Sequence, residues 1–265
     1  MRFLKLGYKL VLVAHAKYEI EVWGTILFLD VASTSLSREE IDLVVDKVRG
    51  FVYQVDEVFS TYKEGSLISQ LRRGEIEIEQ CPEDVKEVWN ACARASELTD
   101  GAFNPWAVEG GFDPSGYVKG WASDRCAGLL VDAGCESVQV NAAGDLTLRG
   151  GQSDLAPWAI GVVNPENTQE VLRIFEITDG AIATSGHYER GAHIHDPYTG
   201  LFAIGAKSAT VIGPNGGLAD ALATALMVAG EDGAAWFGQP ELKEYSAWVI
   251  ERHSGGAWGV GPAIS

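Results

Sequence analysis

The chain has 265 residues, room for one large domain or two small ones, and 46% hydrophobic against 22% charged residues excludes a disordered polypeptide. Thirty-seven acidic side chains against twenty basic ones give a net charge of −17, which repels phosphate backbones and excludes broad nucleic-acid binding. Cys81, Cys92, Cys126 and Cys135 have neither zinc-site spacing nor the density of a disulfide framework and are expected to be reduced core thiols.

In chain order, the first sixteen residues imitate a secretory leader, but the uninterrupted apolar run from Leu10 is shorter than the roughly seven residues a leader core needs, so a strand is expected. No lipobox cysteine or membrane-spanning run follows, and the expected location is the cytoplasm without membrane insertion. Tyr18 to Ala32 is rich in β-branched and aromatic residues and predicts a strand or hairpin, with Gly24 read as a bulge. Ser37 with Glu40 three residues on predicts a capped helix that runs to about Phe59, and the hydroxyl-rich stretch from Phe59 to Ser69 reads as a turn.

Pro82-Glu83-Asp84 opens a second helix through Leu98, and a third starts near Tyr117 and runs past Asp124. Short strands are expected at 137–140, 145–149, 158–163, 172–178 and 209–213, separated by glycine-rich turns, and Ala181 to Arg190 reads as a hydroxyl-rich turn. Leu218 to Ala229 is a small-residue helix. Helices and strands alternate irregularly without linker or repeat, so the fold class is α+β in one domain over 1–265. The absence of a Gly-x-Gly-x-x-Gly between strand and helix argues against a Rossmann arrangement.

Several segments carry groups suited to chemistry. Asp220 and Thr224, at i and i+4 of the last helix, project from one face about 6 Å apart and suit one hard cation, with magnesium as the natural candidate. His193-Ile194-His195-Asp196-Pro197-Tyr198-Thr199-Gly200 sets two imidazoles and a carboxylate on a turn; either histidine alone could equally be structural. Asp113-Pro114-Ser115-Gly116 feeds a helix whose first turn offers N–H groups and Lys119, the parts of a phosphate site as well as of an ordinary capped helix. Tyr62 could stack on a flat ligand or simply pack, and Asn104 in Ala102-Phe103-Asn104 offers donor and acceptor to a ring edge.

Taken in order, the segments resemble the ApbE family of flavin transferases from Trp23 to Gly230. The matching residues are Gly24-Thr25, Phe59-Ser60-Thr61-Tyr62 with Ser66 and Ile68, Gly101 to Pro105, Asp113, Lys119-Gly120, Asn141 to Asp145, Ala183 to Gly186, His193-Ile194, Asp196-Pro197, Thr199-Gly200, Ala219-Asp220-Ala221 and Thr224. The resemblance implies a T-fold-like α+β architecture and a Mg²⁺-dependent transfer of FMN from FAD to a threonine hydroxyl of a flavoprotein, with AMP leaving. It also implies that the metal is held by Gly116 through its carbonyl, Asp220 and Thr224. FAD would be contacted by Trp23, Tyr62, Ala102, Phe103, Asn104, Asp113, Lys119 and His195, and the acceptor would carry an Asp-Gly-Ala-Thr-like motif.

Within that scheme Lys119 is assigned to pyrophosphate charge, His193 to the threonine proton and Asp196 to orienting His193. Five positions depart from the family pattern: Trp23 for Met, Asn104 for Asp, Arg72 for Asn, Ala143 for Gly, and His195 for a small apolar residue. Two other functions stay open, an FAD pyrophosphatase that passes FMN to water and an FAD-binding protein with impaired chemistry. Asp179 to Thr184 is superficially similar to the acceptor motif, but its spacing is wrong and no self-modification is expected.

Overall fold

The computed structural model describes residues 2–6, 9–152, 156–186 and 194–264. The elements in order are β1 (Arg2–Leu6), β2 (Lys9–Val22), β3 (Thr25–Ser33), α1 (Arg38–Phe59), α2 (Leu67–Arg72), α3 (Glu83–Leu98), α4 (Ser115–Asp132), β4 (Ser137–Ala142), β5 (Asp145–Arg149), β6 (Trp158–Asn164), β7 (Asn167–Ile177), β8 (Gly180–Gly186), β9 (Ala206–Gly213), α5 (Gly216–Ala229), β10 (Ser246–Glu251) and β11 (Ala257–Val260). Nine strands form one sheet in the order β1-β2-β3-β4-β5-β8-β9-β10-β11, every neighbouring pair antiparallel, and β6 and β7 form a separate ribbon. The α+β expectation holds, and the leader-like N-terminus pairs as the β1–β2 hairpin.

The period-two alternation of strands decides how the middle of this sheet is covered. On β8 and β9, Ala183, Ala209 and Val211 join the core that contains Ala219, Leu222 and Ala223 of α5. Ile182 and Ile212, one residue along, face Leu148 of β5 and Trp158, Val162, Phe175 and Ile177 of the ribbon. Helices therefore cover one face and the β6–β7 ribbon the other, which makes the central strands buried on both sides. Small side chains on β8, β9 and α5 let the helix lie close to the sheet.

A second core packs α1 and α4 on β2, β3 and β4. Helix α1 starts as its sequence predicts: Glu40 N donates to Ser37 Oγ at 3.2 Å and Ser37 N donates to Glu40 Oε2 at 2.8 Å, the reciprocal bonds of a capping box. Its buried stripe, Ile41, Val44, Val45, Val48, Val52, Val55 and Phe59, follows the helical period, and Phe59 and Phe51 meet Trp121 of α4 at ring distances of 5.5 and 6.0 Å. All four cysteines are buried free thiols, and burial pushes Cys135 up to about 11 and Cys126 up to about 12, so they are poor nucleophiles at neutral pH.

Three expectations are corrected. Gly24 is not a bulge: Val22 pairs with Thr25, and Trp23 (φ 57°) and Gly24 (φ 68°) form a two-residue hairpin turn with both residues left-handed. The segment read as a turn from Ala181 is strand β8, although its later residues, 187–190, lie outside the described ones. The residues after Ser66, expected to continue a turn, form α2, with Ser69 N donating to the Ser66 hydroxyl at 3.0 Å. Among the described residues no helix is long and apolar enough to cross a membrane.

Candidate functional site

Helices α4 and α5 cross backbone to backbone because glycine stands on both sides of the contact. A Cβ at Gly120 would lie 2.2 Å from the Gly216 carbonyl oxygen and 2.6 Å from the Gly217 nitrogen, and one at Gly217 would lie 2.7 Å from the Tyr117 ring. No real side chain fits such gaps, so Gly120, Gly216 and Gly217 permit a crossing that alanine would open. The start of α5 is held there by Asp124 of α4, whose carboxylate accepts from Gly216 N at 2.7 Å and from the Thr147 hydroxyl of β5 at 2.9 Å. Burial raises the Asp124 carboxyl, opposed by the Gly216 N–H, the Thr147 hydroxyl and Arg149.

The close crossing brings residues far apart in sequence into one cluster. The Lys119 ammonium donates to Asp145 Oδ2 in a very short bond and to Asp220 Oδ2 at 3.3 Å. Asp145 and Asp220 are buried at 6% and 5% exposure, and Asp145 Oδ1 also accepts from Thr184 N at 3.4 Å. One turn along α5, the Thr224 hydroxyl lies 3.3 Å from the Ser185 hydroxyl of β8. Gly116, near the start of α4, has a non-helical backbone (φ −84°, ψ 15°), and a Cβ there would sit 3.2 Å from Phe103 Cε2 and 3.5 Å from Thr224 Oγ1. Gly116, Lys119, Asp220 and Thr224 thus lie in one cluster, with Phe103 alongside.

Asp145 and Ser185 stand in stretches that match the family pattern, but the sequence assigned neither a role. Asp145 follows a tight turn in which Ala143 (φ 55°) and Gly144 (φ 99°) are left-handed and Asn141 Oδ1 accepts from Gly144 N at 2.9 Å. A buried carboxylate placed at the start of a strand by such a turn is the signal that could have found it.

The donor set suits a hard divalent cation. With all three groups ionised, Lys119, Asp145 and Asp220 carry one net negative charge in a buried setting, and the space a side chain at Gly116 would fill lies against Thr224. Among the described residues no group of three His, Cys, Asp or Glu side chains could hold a metal, so a cation here would combine at most two carboxylates with neutral oxygens. That is a set on which Mg²⁺ keeps several positions for water or phosphate.

The other expected contacts stand on loops. Phe103 N donates to the Thr99 hydroxyl at 3.1 Å, and Asn104 Oδ1 accepts from Trp106 N at 3.0 Å. Asp113 accepts from Ser115 N at 2.9 Å, while Tyr117 N and Val118 N donate to the Pro114 carbonyl, both at 2.9 Å, so these first-turn amides of α4 are already engaged. Arg72 bonds the carbonyls of Glu109 and Gly110 and comes within 4.0 Å of Asp113. Its side chain therefore fastens the loop that leads to Asp113.

His193 lies outside the described residues. His195 is exposed and stacks on Phe202 at 4.9 Å, and the Asp196 carboxylate accepts from Tyr198 N at 2.8 Å and from the Thr199 hydroxyl at 2.9 Å. Tyr198 in turn donates to the Asp100 carbonyl at 2.7 Å, which ties this turn to the Ala102–Asn104 loop. Tyr62 stands 95% exposed after α1, and Trp23 packs its ring against two cores with its Nε1 buried and unbonded.

Comparison with known proteins places this arrangement. The model of the ApbE family matches residues 16–109 and 107–248. The chain belongs to the ApbE family. Among curated ApbE relatives, the FAD:protein FMN transferase of Vibrio cholerae is 39% identical over 130 residues, covering 45% of this chain and 39% of that protein. The FAD:protein FMN transferase of Rhodobacter capsulatus is 35% identical over 128 residues, covering 45% of this chain and 24% of that protein.

These alignments thus span less than half the length of the curated relatives. Among solved structures, the ApbE protein of Thermotoga maritima superposes with a TM-score of 0.80 at 24% identity, covering 92% of this chain and 96% of that one. The flavin transferase ApbE of Vibrio cholerae superposes with a TM-score of 0.79 at 23% identity, covering 94% and 97%. The ApbE fold is therefore shared across nearly the whole chain.

Proposed function

We propose that residues 1–265 act as a single catalytic unit that transfers FMN from FAD to a threonine hydroxyl of an acceptor flavoprotein, releasing AMP. The observation that carries this reading is the assembly of half-buried Lys119, Thr224 and Gly116 around the buried Asp220 carboxylate on the α4–α5 crossing. In the reaction the threonine Oγ forms a bond to the FMN phosphorus, the bridging P–O bond of the pyrophosphate breaks, and AMP leaves with the bridging oxygen. Such a step needs positioned charge more than covalent help from the protein.

The Gly116 carbonyl, Asp220 and Thr224 would hold Mg²⁺, which when bound supplies charge neutralisation on the phosphates. Lys119 faces the pyrophosphate oxygens from the same crossing. His193 receives the threonine proton, because an imidazole titrates near neutral pH. Asp196 fixes the turn that follows His193, through its bonds to Tyr198 and Thr199. Trp23, Tyr62, Ala102, Phe103, Asn104, Asp113 and His195 line the remaining length of FAD.

The acceptor carries an Asp-Gly-Ala-Thr-like motif, and the names of the curated relatives support both a flavin donor and a protein acceptor. Incubation with FAD and Mg²⁺, with and without a flavoprotein domain that carries this motif, tests the proposal. AMP and protein-bound flavin should appear together in the acceptor arm. AMP with free FMN in equal amounts in both arms would assign the site to hydrolysis, and no AMP in either arm would refute both chemistries.

A further inference from the structure

Asp145 is a buried carboxylate that the proposed reaction leaves without a task. It contacts the lysine assigned to phosphate charge more closely than Asp220 does: the Lys119 ammonium makes its very short bond to Asp145 Oδ2 and a 3.3 Å bond to Asp220 Oδ2. Asp145 is itself fixed, as the first residue of β5, paired across the turn with Ala142 and bonded through Oδ1 to Thr184 N of β8. Both carboxylates are buried, where an ammonium and a divalent cation competing for one oxygen interact far more strongly than in water.

We infer that Asp145 is a positioning residue that draws the Lys119 ammonium to the β5 side of the cluster and so leaves the Asp220 carboxylate to a divalent cation. The inference rests on the metal site proposed above, and it extends that reading from the cation's ligands to the residue that keeps them available. Without a carboxylate at 145, Asp220 would take a larger share of the ammonium charge. A cation would then have to displace that ammonium before binding. Asp145 therefore acts on the metal through Lys119 and not as a ligand, and its effect must vanish when the ammonium is removed.

The test is Mn²⁺ binding to the full chain, read by electron paramagnetic resonance with saturating FAD and no acceptor. Wild type, Asp145→Asn, Lys119→Met and the double variant are compared, with circular dichroism to confirm folding. Asp145→Asn should weaken Mn²⁺ binding about tenfold, whereas the same replacement in the Lys119→Met background should change it less than about twofold. An equal loss in both backgrounds would make Asp145 a direct ligand and overturn the inference, as would no loss in either.

If Asp145→Asn does not fold, Asp145→Glu carries the test. Its longer carboxylate still draws the ammonium and should keep Mn²⁺ affinity within about threefold of wild type, and a tenfold loss would overturn the inference. Absence of Mn²⁺ binding by wild type would instead refute the metal site itself, so the two failures are distinct.

Discussion

At the α4–α5 crossing, Asp145 and Asp220 are 6% and 5% exposed, whereas Tyr62, Tyr198, Leu201, Phe202 and Ile204, on the turn after α1 and the loop past His195, are between 53% and 95% exposed. The first region is held by backbone contact between helices and by bonds among four secondary-structure elements, α4, α5, β5 and β8. The second is held by local turn bonds, such as those around Asp196, and by a few long-range ties, from Tyr198 to the Asp100 carbonyl and from Gly205 N to the Met227 carbonyl among them. The groups proposed for charge and metal chemistry thus stand on the closely packed part, and groups available to an aromatic ring or a protein chain stand on exposed loops. Orienting groups are most effective when their supports do not move, while partners of variable shape are better met by loops.

The comparison breaks most directly at Gly120. Gly120→Ala forces Cβ into the backbone of residues 216 and 217 and should cost about 1–3 kcal/mol in urea denaturation, together with most of the flavin transfer. Gly128→Ala, on the same helix with nothing within 4 Å of its Cβ position, should instead stabilise by up to about 1 kcal/mol. Equal effects at the two positions would remove the argument that glycine is needed for the crossing.

Asp220→Ala tests the chemistry of the closely packed region. It removes the proposed carboxylate ligand, and transfer should fall about a thousandfold, equal to roughly 4 kcal/mol of transition-state stabilisation, with Mn²⁺ binding lost in parallel. Transfer kept within tenfold of wild type would place the metal elsewhere.

On the exposed side, Tyr62→Ala should leave stability within about 0.5 kcal/mol, since the side chain is almost fully exposed. It should raise KM for FAD by about tenfold while kcat changes little, the pattern of a lost binding contact. A fall in kcat with KM unchanged would move Tyr62 from binding to the chemical step.

The sequence made one side of this comparison more legible than the other. The capping box at Ser37 and Glu40, the helix at Glu83–Leu98 and the small-residue helix that carries Asp220 and Thr224 follow local rules, and the structure has each of them. Strand β8 was hidden because Gly180, Ala181, Ala183, Thr184 and Ser185 have the composition of a turn. Only the cover of α5 and the β6–β7 ribbon makes small residues the fitting choice for a strand buried on both faces.

Helix α2 is too short for its period to show. The partnership of Lys119 with Asp145 and Asp220 spans 26 and 101 positions and depends on a helix crossing, which no local pattern reveals. Trp23 in a left-handed conformation is also beyond local rules, since such turns favour Asn, Asp or Gly there.

The smallest expected effect separates the pH response of the scaffold from that of the site. Burial pushes the Glu136 carboxyl up, but bonds from the Thr34 hydroxyl and N–H and from Ser33 outweigh it and hold the group below its usual value of 4.5. A lowered folded value means that Glu136 contributes stability in full above the unfolded value and loses it as pH falls through the folded one. Asp124, raised by burial at the α4–α5 crossing, works in the opposite sense: its contribution is present below its unfolded value and is lost as pH rises through the folded one.

The acid limb of the wild-type stability profile is therefore a sum of opposing slopes. Glu136→Gln should remove one of them, lowering stability at pH 7 by only a few tenths of a kcal/mol, because the group is exposed and screened, with the difference disappearing as pH falls through the folded value. Urea midpoints of the two proteins from pH 3 to 7 measure it, and a difference that grows toward low pH would reverse the sign assigned to Glu136. If the difference closes as expected, any change in flavin transfer between pH 5 and 7 that both proteins share cannot come from Glu136, and a group titrating near neutrality such as His193 becomes the one to replace.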